Sequence, residues 1–101
     1  MKKIILLCNA GMSTSMLVNK MKAIAKEKHI DCEIEAYPLM QAEVEAYDAD
    51  VVLIGPQMAF EKDKVIAKLP QIPVELIDMR DYGTMNGENV LKRALKIIEE
   101  A

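Results

Sequence analysis

Residues 3–15 read Lys3-Ile4-Ile5-Leu6-Leu7-Cys8-Asn9-Ala10-Gly11-Met12-Ser13-Thr14-Ser15. Lys3 to Leu7 is a short, unbroken apolar run ending at a cysteine, the pattern of a strand buried on both faces. The chain then turns small and polar, with Gly11 in the middle. From Ser13 onward the spacing becomes helical: Leu17, Met21, Ile24 and Ala25 share one face, while Lys20, Lys22, Lys26 and Glu27 lie elsewhere. Ser13 or Thr14 is suited to cap such a helix, and basic residues near Lys28 and His29 suit its carboxyl end.

Working outward, the unit repeats. Cys32 to Tyr37 alternates and is expected as a strand near an edge, stopped by Pro38. Leu39 to Tyr47 is expected as a short helix. Val51 to Ile54 (VVLI) predicts the most buried strand, broken by Gly55-Pro56. Gln57 to Leu69 predicts a helix with Met58, Val65, Ile66 and Leu69 inward. Val74 to Ile77 predicts a fourth strand, Asp78 to Gly87 a loop, and Glu88 to Glu100 a helix with Val90, Leu91, Ala94, Leu95 and Ile98 as its apolar stripe. Strand then helix, four times over, predicts a single α/β domain spanning residues 1–101. Its sheet is expected to be parallel, four-stranded and doubly wound, in the flavodoxin-like order 2-1-3-4. Ligands of such sheets bind beyond the carboxyl ends of the strands, where the order reverses. Three loops are then expected at one edge: Cys8 to Ser13, Gly55 to Met58 and Asp78 to Gly87.

The chain has 101 residues and is 51% hydrophobic, enough for one modest core. Thirteen basic and 16 acidic residues give a net charge of −3, which argues against general nucleic-acid binding. The apolar run before Cys8 is too short for a leader or a membrane span. With only two cysteines, Cys8 and Cys32, the expectation is a cytoplasmic monomer with reduced thiols.

The loop after Cys8 reads as an anion site. Successive N–H groups of a tight loop form a nest, and a helix N-terminus adds unsatisfied donors and the positive end of its dipole. Gly11 is suited to positive φ, and Ser13, Thr14 and Ser15 add hydroxyls. A sulfur facing these donors would be favoured as thiolate, the nucleophilic form. The same donors would hold a phosphoryl group.

In detail, Cys8 to Ser15 resembles the phosphorylation loop of the lactose/cellobiose-type IIB components of the bacterial sugar phosphotransferase system. The likeness spans nearly the whole chain. It includes Ala10-Gly11-Met12-Ser13-Thr14-Ser15, the Asp50-Val51-Val52-Leu53 segment running into Gly55-Pro56-Gln57, Pro73-Val74-Glu75, and Asp78 through Tyr82-Gly83. The resemblance implies that Cys8 accepts phosphate from a phosphohistidine of a IIA partner. Cys8 then passes it to a sugar held by membrane-embedded IIC, a β-linked disaccharide of the cellobiose, diacetylchitobiose or lactose class. It implies that Asn9, Ala10, Gly11, Met12, Ser13, Thr14 and Ser15 cradle the phosphate, with no metal or organic cofactor.

A second likeness fails in an instructive place. Low-molecular-weight tyrosine phosphatases use Cys-x5-Arg-Ser/Thr on a similar loop, but here Thr14 stands where the arginine would be. Without that bidentate clamp, slow hydrolysis is expected, as a carrier needs. A small phosphatase-like hydrolase is therefore the alternative, and a non-enzymatic flavodoxin-like binding domain the third reading. No obvious candidate stands for the phosphatase's aspartate general acid, although Asp78 and Asp81 lie in the right part of the chain. Cys32 lacks metal-ligand spacing with Cys8 and reads as a strand residue. His29 falls roughly 20 Å from the loop, at 1.5 Å rise per helical residue, and reads as a surface or capping residue. Gln57, Met58 and Tyr82 are candidates for the rim or for partner contact. Met12 would suit a docking tip, and Met16 is a core candidate.

Overall fold

Strand β1 (Lys2–Cys8) runs through the middle of the molecule, and its side chains from Ile4 to Leu7 are 0% exposed. The computed structural model describes every residue but Ala10, and every side chain but those of Ala10, Gly11, Met12 and Ser13. β1 lies between β2 (Cys32–Pro38) and β3 (Val51–Ile54), and β4 (Val74–Leu76) follows β3. All pairings are parallel, giving the order β2-β1-β3-β4. This is the predicted order, with β2 at an edge.

Because successive side chains of a strand point to opposite faces, β1 feeds two cores. Ile4 and Leu6, with Val51 and Leu53, pack under helices α1 (Gly11–Glu27) and α5 (Gly87–Glu100). Ile5 and Leu7, with Val52 and Ile54, pack against α2 (Ala42–Glu45) and α3 (Lys62–Lys68) on the other face. Burying each such side chain stabilises the fold by about 1.5–3 kcal/mol. The register brings the carboxyl ends into line: Cys8 lies opposite Pro38, Leu7 opposite Ile54, and Ile54 opposite Leu76.

Several elements differ from expectation. α1 starts at Gly11, so Ser13 and Thr14 stand inside its first turn and neither is its N-cap. Leu39 to Tyr47 is a 3₁₀ turn (Leu39–Gln41) followed by the single turn of α2. The segment after Gly55 is also divided, into a 3₁₀ stretch (Pro56–Glu61) and α3, with Met58 at φ −107°, ψ 22° breaking the helical path. Val65 and Leu69, four residues apart, share the buried face of α3 and its end, while Ile66, one position round the helix from Val65, is 41% exposed. Met16, a core candidate, is exposed, because it lies beside the expected α1 stripe, whose Leu17, Met21 and Ala25 are buried, joined by Val18. β4 ends one residue early, although the Ile77 N–H still donates to the Ile54 carbonyl.

The stretch expected to be a loop, Asp78 to Gly87, holds a short helix, α4 (Met79–Gly83). Its cause is local: the Asp78 carboxylate accepts from the N–H groups of Arg80 (2.9 Å) and Asp81 (3.1 Å). Asn86 then caps α5, accepting from the Asn89 N–H at 3.0 Å. The α5 stripe buries Val90, Leu91, Ala94 and also Ile97, while Leu95 and Ile98 pack only partly against the core. α1 ends with His29 in the left-handed region at φ 57°. The Ile30 N–H donates back to Ala25 and the His29 N–H to Lys26, a Schellman arrangement that satisfies the last carbonyls.

Candidate functional site

Cys8 is the last residue of the central strand. Strand alternation places it on the face of Ile4 and Leu6, the face covered by α1. It is only 1% exposed. Gly55 stands beside it at the neighbouring strand end, donating its N–H to the Leu7 carbonyl at 3.1 Å. The strand order reverses between β1 and β3, so Cys8 sits at the switch point where an α/β sheet opens a crevice.

The three predicted loops meet at this edge, and side chains join them. Thr14, in the first turn of α1, lies 3.3 Å (Oγ1 to Oη) from Tyr82 of α4. Gln57, just after β3, donates from Nε2 to the same Tyr82 oxygen at 3.2 Å. Tyr82 thus bridges the ends of β1 and β3 from the connection that follows β4. Thr14 is 0% exposed, a buried polar side chain that Tyr82 partners. Burying a hydroxyl without a partner would cost about 1–3 kcal/mol, so the contact with Tyr82 stabilises Thr14 where it sits.

Asn9 and Ser15 are exposed at the rim of the site. Ala10, the side chains of Met12 and Ser13, and the φ expected of Gly11 lie outside the described residues. Met58 is not an exposed docking residue: it is 6% exposed and belongs to the α2–α3 core. It lines a groove of about 460 Å³ that begins at Asn9, and the exposed large hydrophobic side chains on this groove are Met40 (84%) and Phe60 (74%). Sequence reasoning missed both, since an apolar residue in a short helical turn carries no signal of its facing. The Asp78 cap was also missed. Its signal was an aspartate followed three residues later by the acidic Asp81, a helix-start pattern.

The remaining candidates lie elsewhere. Cys32 opens β2 opposite Lys2, six residues along the register from Cys8 and so about 20 Å away; no disulfide joins the two. Burial first, then the neighbouring Asp31 charge, pushes the Cys32 thiol up from its ordinary value, which disfavours its thiolate. His29 is exposed at the far end of α1. Asp78 has its carboxylate committed to the α4 cap, and Asp81 accepts from Asn89 Nδ2 at 3.1 Å. Both are thereby engaged in holding the α4–α5 connection. Among the described residues, no three His, Cys, Asp or Glu side chains converge as metal ligands, and no helix is long and apolar enough to cross a membrane.

A family model described as PTS system, Lactose/Cellobiose specific IIB subunit matches residues 3–93. The chain belongs to this family. The IIB chain is 44% identical over 100 residues to the oligo-β-mannoside-specific EIIB component of Bacillus subtilis (strain 168), covering 97% of each. It is also 44% identical to the galactose-specific EIIB component of Lactococcus lactis subsp. cremoris (strain MG1363), and 43% identical to the cellobiose-specific one of Lactococcus lactis subsp. lactis (strain IL1403). In both cases 92% of this chain and 93% of the relative are covered. The solution structure of a cellobiose-specific IIB component from Borrelia burgdorferi matches with TM-score 0.83 at 42% identity, over 98% of this chain and 93% of that one. The lactose-specific IIB domain of Streptococcus pneumoniae shares the fold, with TM-score 0.83 at 13% identity, over 94% and 95% of the two chains. The IIB chain is accordingly a phosphotransferase, a phosphoryl carrier in sugar uptake that works with IIA and IIC components.

Proposed function

We propose that Cys8 is the residue that carries the phosphoryl group. Its sulfur attacks the phosphorus of a phosphohistidine on IIA, the N–P bond breaks as the S–P bond forms, and the imidazole leaves with the electron pair. At IIC a sugar hydroxyl attacks the same phosphorus. The S–P bond breaks, the thiolate returns, and the hydroxyl proton is released. Asn9 to Ser15 supply the donors that hold the phosphoryl oxygens.

The observation that carries this reading is the convergence at the end of β1. Cys8 ends β1 on the sheet face that α1 covers, Thr14 is buried in the first turn of α1, and Tyr82 and Gln57 tie the two neighbouring loops to Thr14. The near-complete burial of Cys8 supports a carrier, because an enclosed phosphocysteine is shielded from water. It also requires the surrounding shell to open when a partner docks. Thr14 where a phosphatase has arginine, and Asp78 committed to a cap, both favour a carrier over a hydrolase.

The acceptor in this reading is a β-linked disaccharide chosen by IIC. Relatives named for three different sugars stand at 43–44% identity to this chain, which supports a sugar choice made outside IIB. The partners dock in turn, in the cytoplasm, over the rim formed by Asn9, Gln57 and Tyr82 and the exposed Met40 and Phe60 beside it. Incubation with phosphorylated IIA tests the proposal: intact-mass analysis is expected to show one added phosphoryl group, absent in Cys8→Ser and Cys8→Ala. Retention of the phosphoryl group in Cys8→Ala, or rapid hydrolysis of an aryl phosphate by the isolated protein, would sink it.

A further inference from the structure

One leg of the Thr14–Tyr82–Gln57 chain has a fixed direction. An amide nitrogen only donates, so the Tyr82 oxygen accepts from Gln57 Nε2. The phenol retains one proton, and its other neighbour is the Thr14 hydroxyl at 3.3 Å. Thr14 also has one proton. If Tyr82 donates to Thr14, the Thr14 proton is released to donate elsewhere, and Thr14 is wholly buried in the first turn of α1, the helix that covers the sheet face on which β1 ends at Cys8.

We propose that Tyr82 is a positioning residue for phosphoryl transfer: it accepts from Gln57, donates to Thr14, and so leaves the Thr14 hydroxyl as a donor to the group on Cys8. This rests on Cys8 being the phosphoryl carrier. Three connections then act as one unit. The chain separations are 68 residues for Thr14 to Tyr82 and 25 for Gln57 to Tyr82, so the unit exists only when the sheet edge is assembled. The arrangement also explains how the loop works without arginine. Where a phosphatase places a fixed cation, this chain places a neutral hydroxyl whose donor direction is set from behind. At 3.3 Å the Thr14 contact is longer than an optimal hydroxyl pair. It has room to shorten when negative charge arrives in front of Thr14, as such bonds do when the reacting group binds.

The test is rapid-quench transfer from phosphorylated IIA to the wild type, Tyr82→Phe, Thr14→Val, Thr14→Ser and the Tyr82→Phe/Thr14→Val pair. Loss of one neutral hydrogen bond corresponds to about a 2- to 10-fold effect. Tyr82→Phe is expected to lower kcat by that factor with KM for phosphorylated IIA unchanged. Thr14→Val is expected to lower it at least as far, Thr14→Ser to restore it, and the double variant to be no slower than Thr14→Val alone. Gln57→Met, altered at an exposed position, is expected to lower kcat in the same direction and keeps the test open should Tyr82→Phe fail to fold. A Tyr82→Phe enzyme equal to wild type, a change confined to KM, or independent multiplying effects in the double variant would each overturn the proposal. A wild type that takes no phosphoryl group on Cys8 would instead overturn the carrier reading beneath it.

Discussion

One substitution, made at two glycines, is expected to have opposite signs. Gly87 opens α5 where that helix crosses α1. A Cβ built there would stand 2.9 Å from Lys20 Cβ, 3.1 Å from the Lys20 carbonyl carbon and 3.1 Å from the Met21 nitrogen. Ordinary carbon contacts lie at about 3.5–4.0 Å. All three obstructing atoms are fixed to the α1 backbone, so no rotamer change relieves the clash, and the two helices must part by about half an ångström. Overpacking of this kind costs about 1–3 kcal/mol. It is offset by about 0.4–1 kcal/mol from the loss of glycine's freedom in the unfolded chain. The net expectation for Gly87→Ala is a loss centred on about 1.3 kcal/mol, or a Tm lower by about 5–10 °C at this chain length. Gly83 closes α4, with nothing within 4 Å of its Cβ position and no positive φ. There only the unfolded-state effect remains, so Gly83→Ala is expected to raise Tm by about 2–8 °C. Scanning calorimetry of the two variants beside the wild type measures both. An unchanged or raised Tm in Gly87→Ala would refute the packing argument, and a lowered Tm in Gly83→Ala would refute the claim that its surroundings are open.

Further outcomes follow from other parts of the fold. His29→Gly relieves a left-handed residue at the end of α1 and is expected to stabilise by about 0.5–1 kcal/mol, read from the urea midpoint. Asp78→Ala removes the α4 cap and is expected to cost about 1 kcal/mol; since α4 carries Tyr82, it should also slow phosphoryl transfer. The Lys3 ammonium, 2.6 Å from Asp48, holds that carboxyl below its ordinary value. A lowered carboxylate contributes stability above its unfolded value and loses it as pH falls through the folded one. Asp48→Asn should therefore be less stable than wild type at pH 7, with the gap closing below about pH 4. A gap that stays constant across that range would show that the ion pair is not its source.

Much of the architecture was readable because it is written at short range. The apolar runs at Ile4 to Leu7 and Val51 to Ile54 are each complete within a few residues, and both became fully buried strands. Gly55 and Pro56 mark where the second stops, and Pro38 closes β2. The readings that failed depended on facing. Ile66 was assigned inward beside Val65 and Leu69, and Met16 was a core candidate beside the loop, yet each lies one position off the buried face of its helix and is exposed. Met58 was read both as inward and as a rim residue, and only the packing of its turn decided for the first, while Met40, in another short turn, is exposed.

Taken alone, the order of residues determined four strand–helix units, their parallel sheet, and a cysteine at the mouth of a polar loop, because periodicity and breakers act within a window of a few residues. The assembled molecule decided what surrounds that cysteine. Tyr82 meets Thr14 across 68 residues and Gln57 across 25, and Gly87 meets α1 at Lys20. Such meetings depend on the distance and angle at which whole helices settle on a sheet, which the summed packing of two cores sets and no local stretch of the chain encodes.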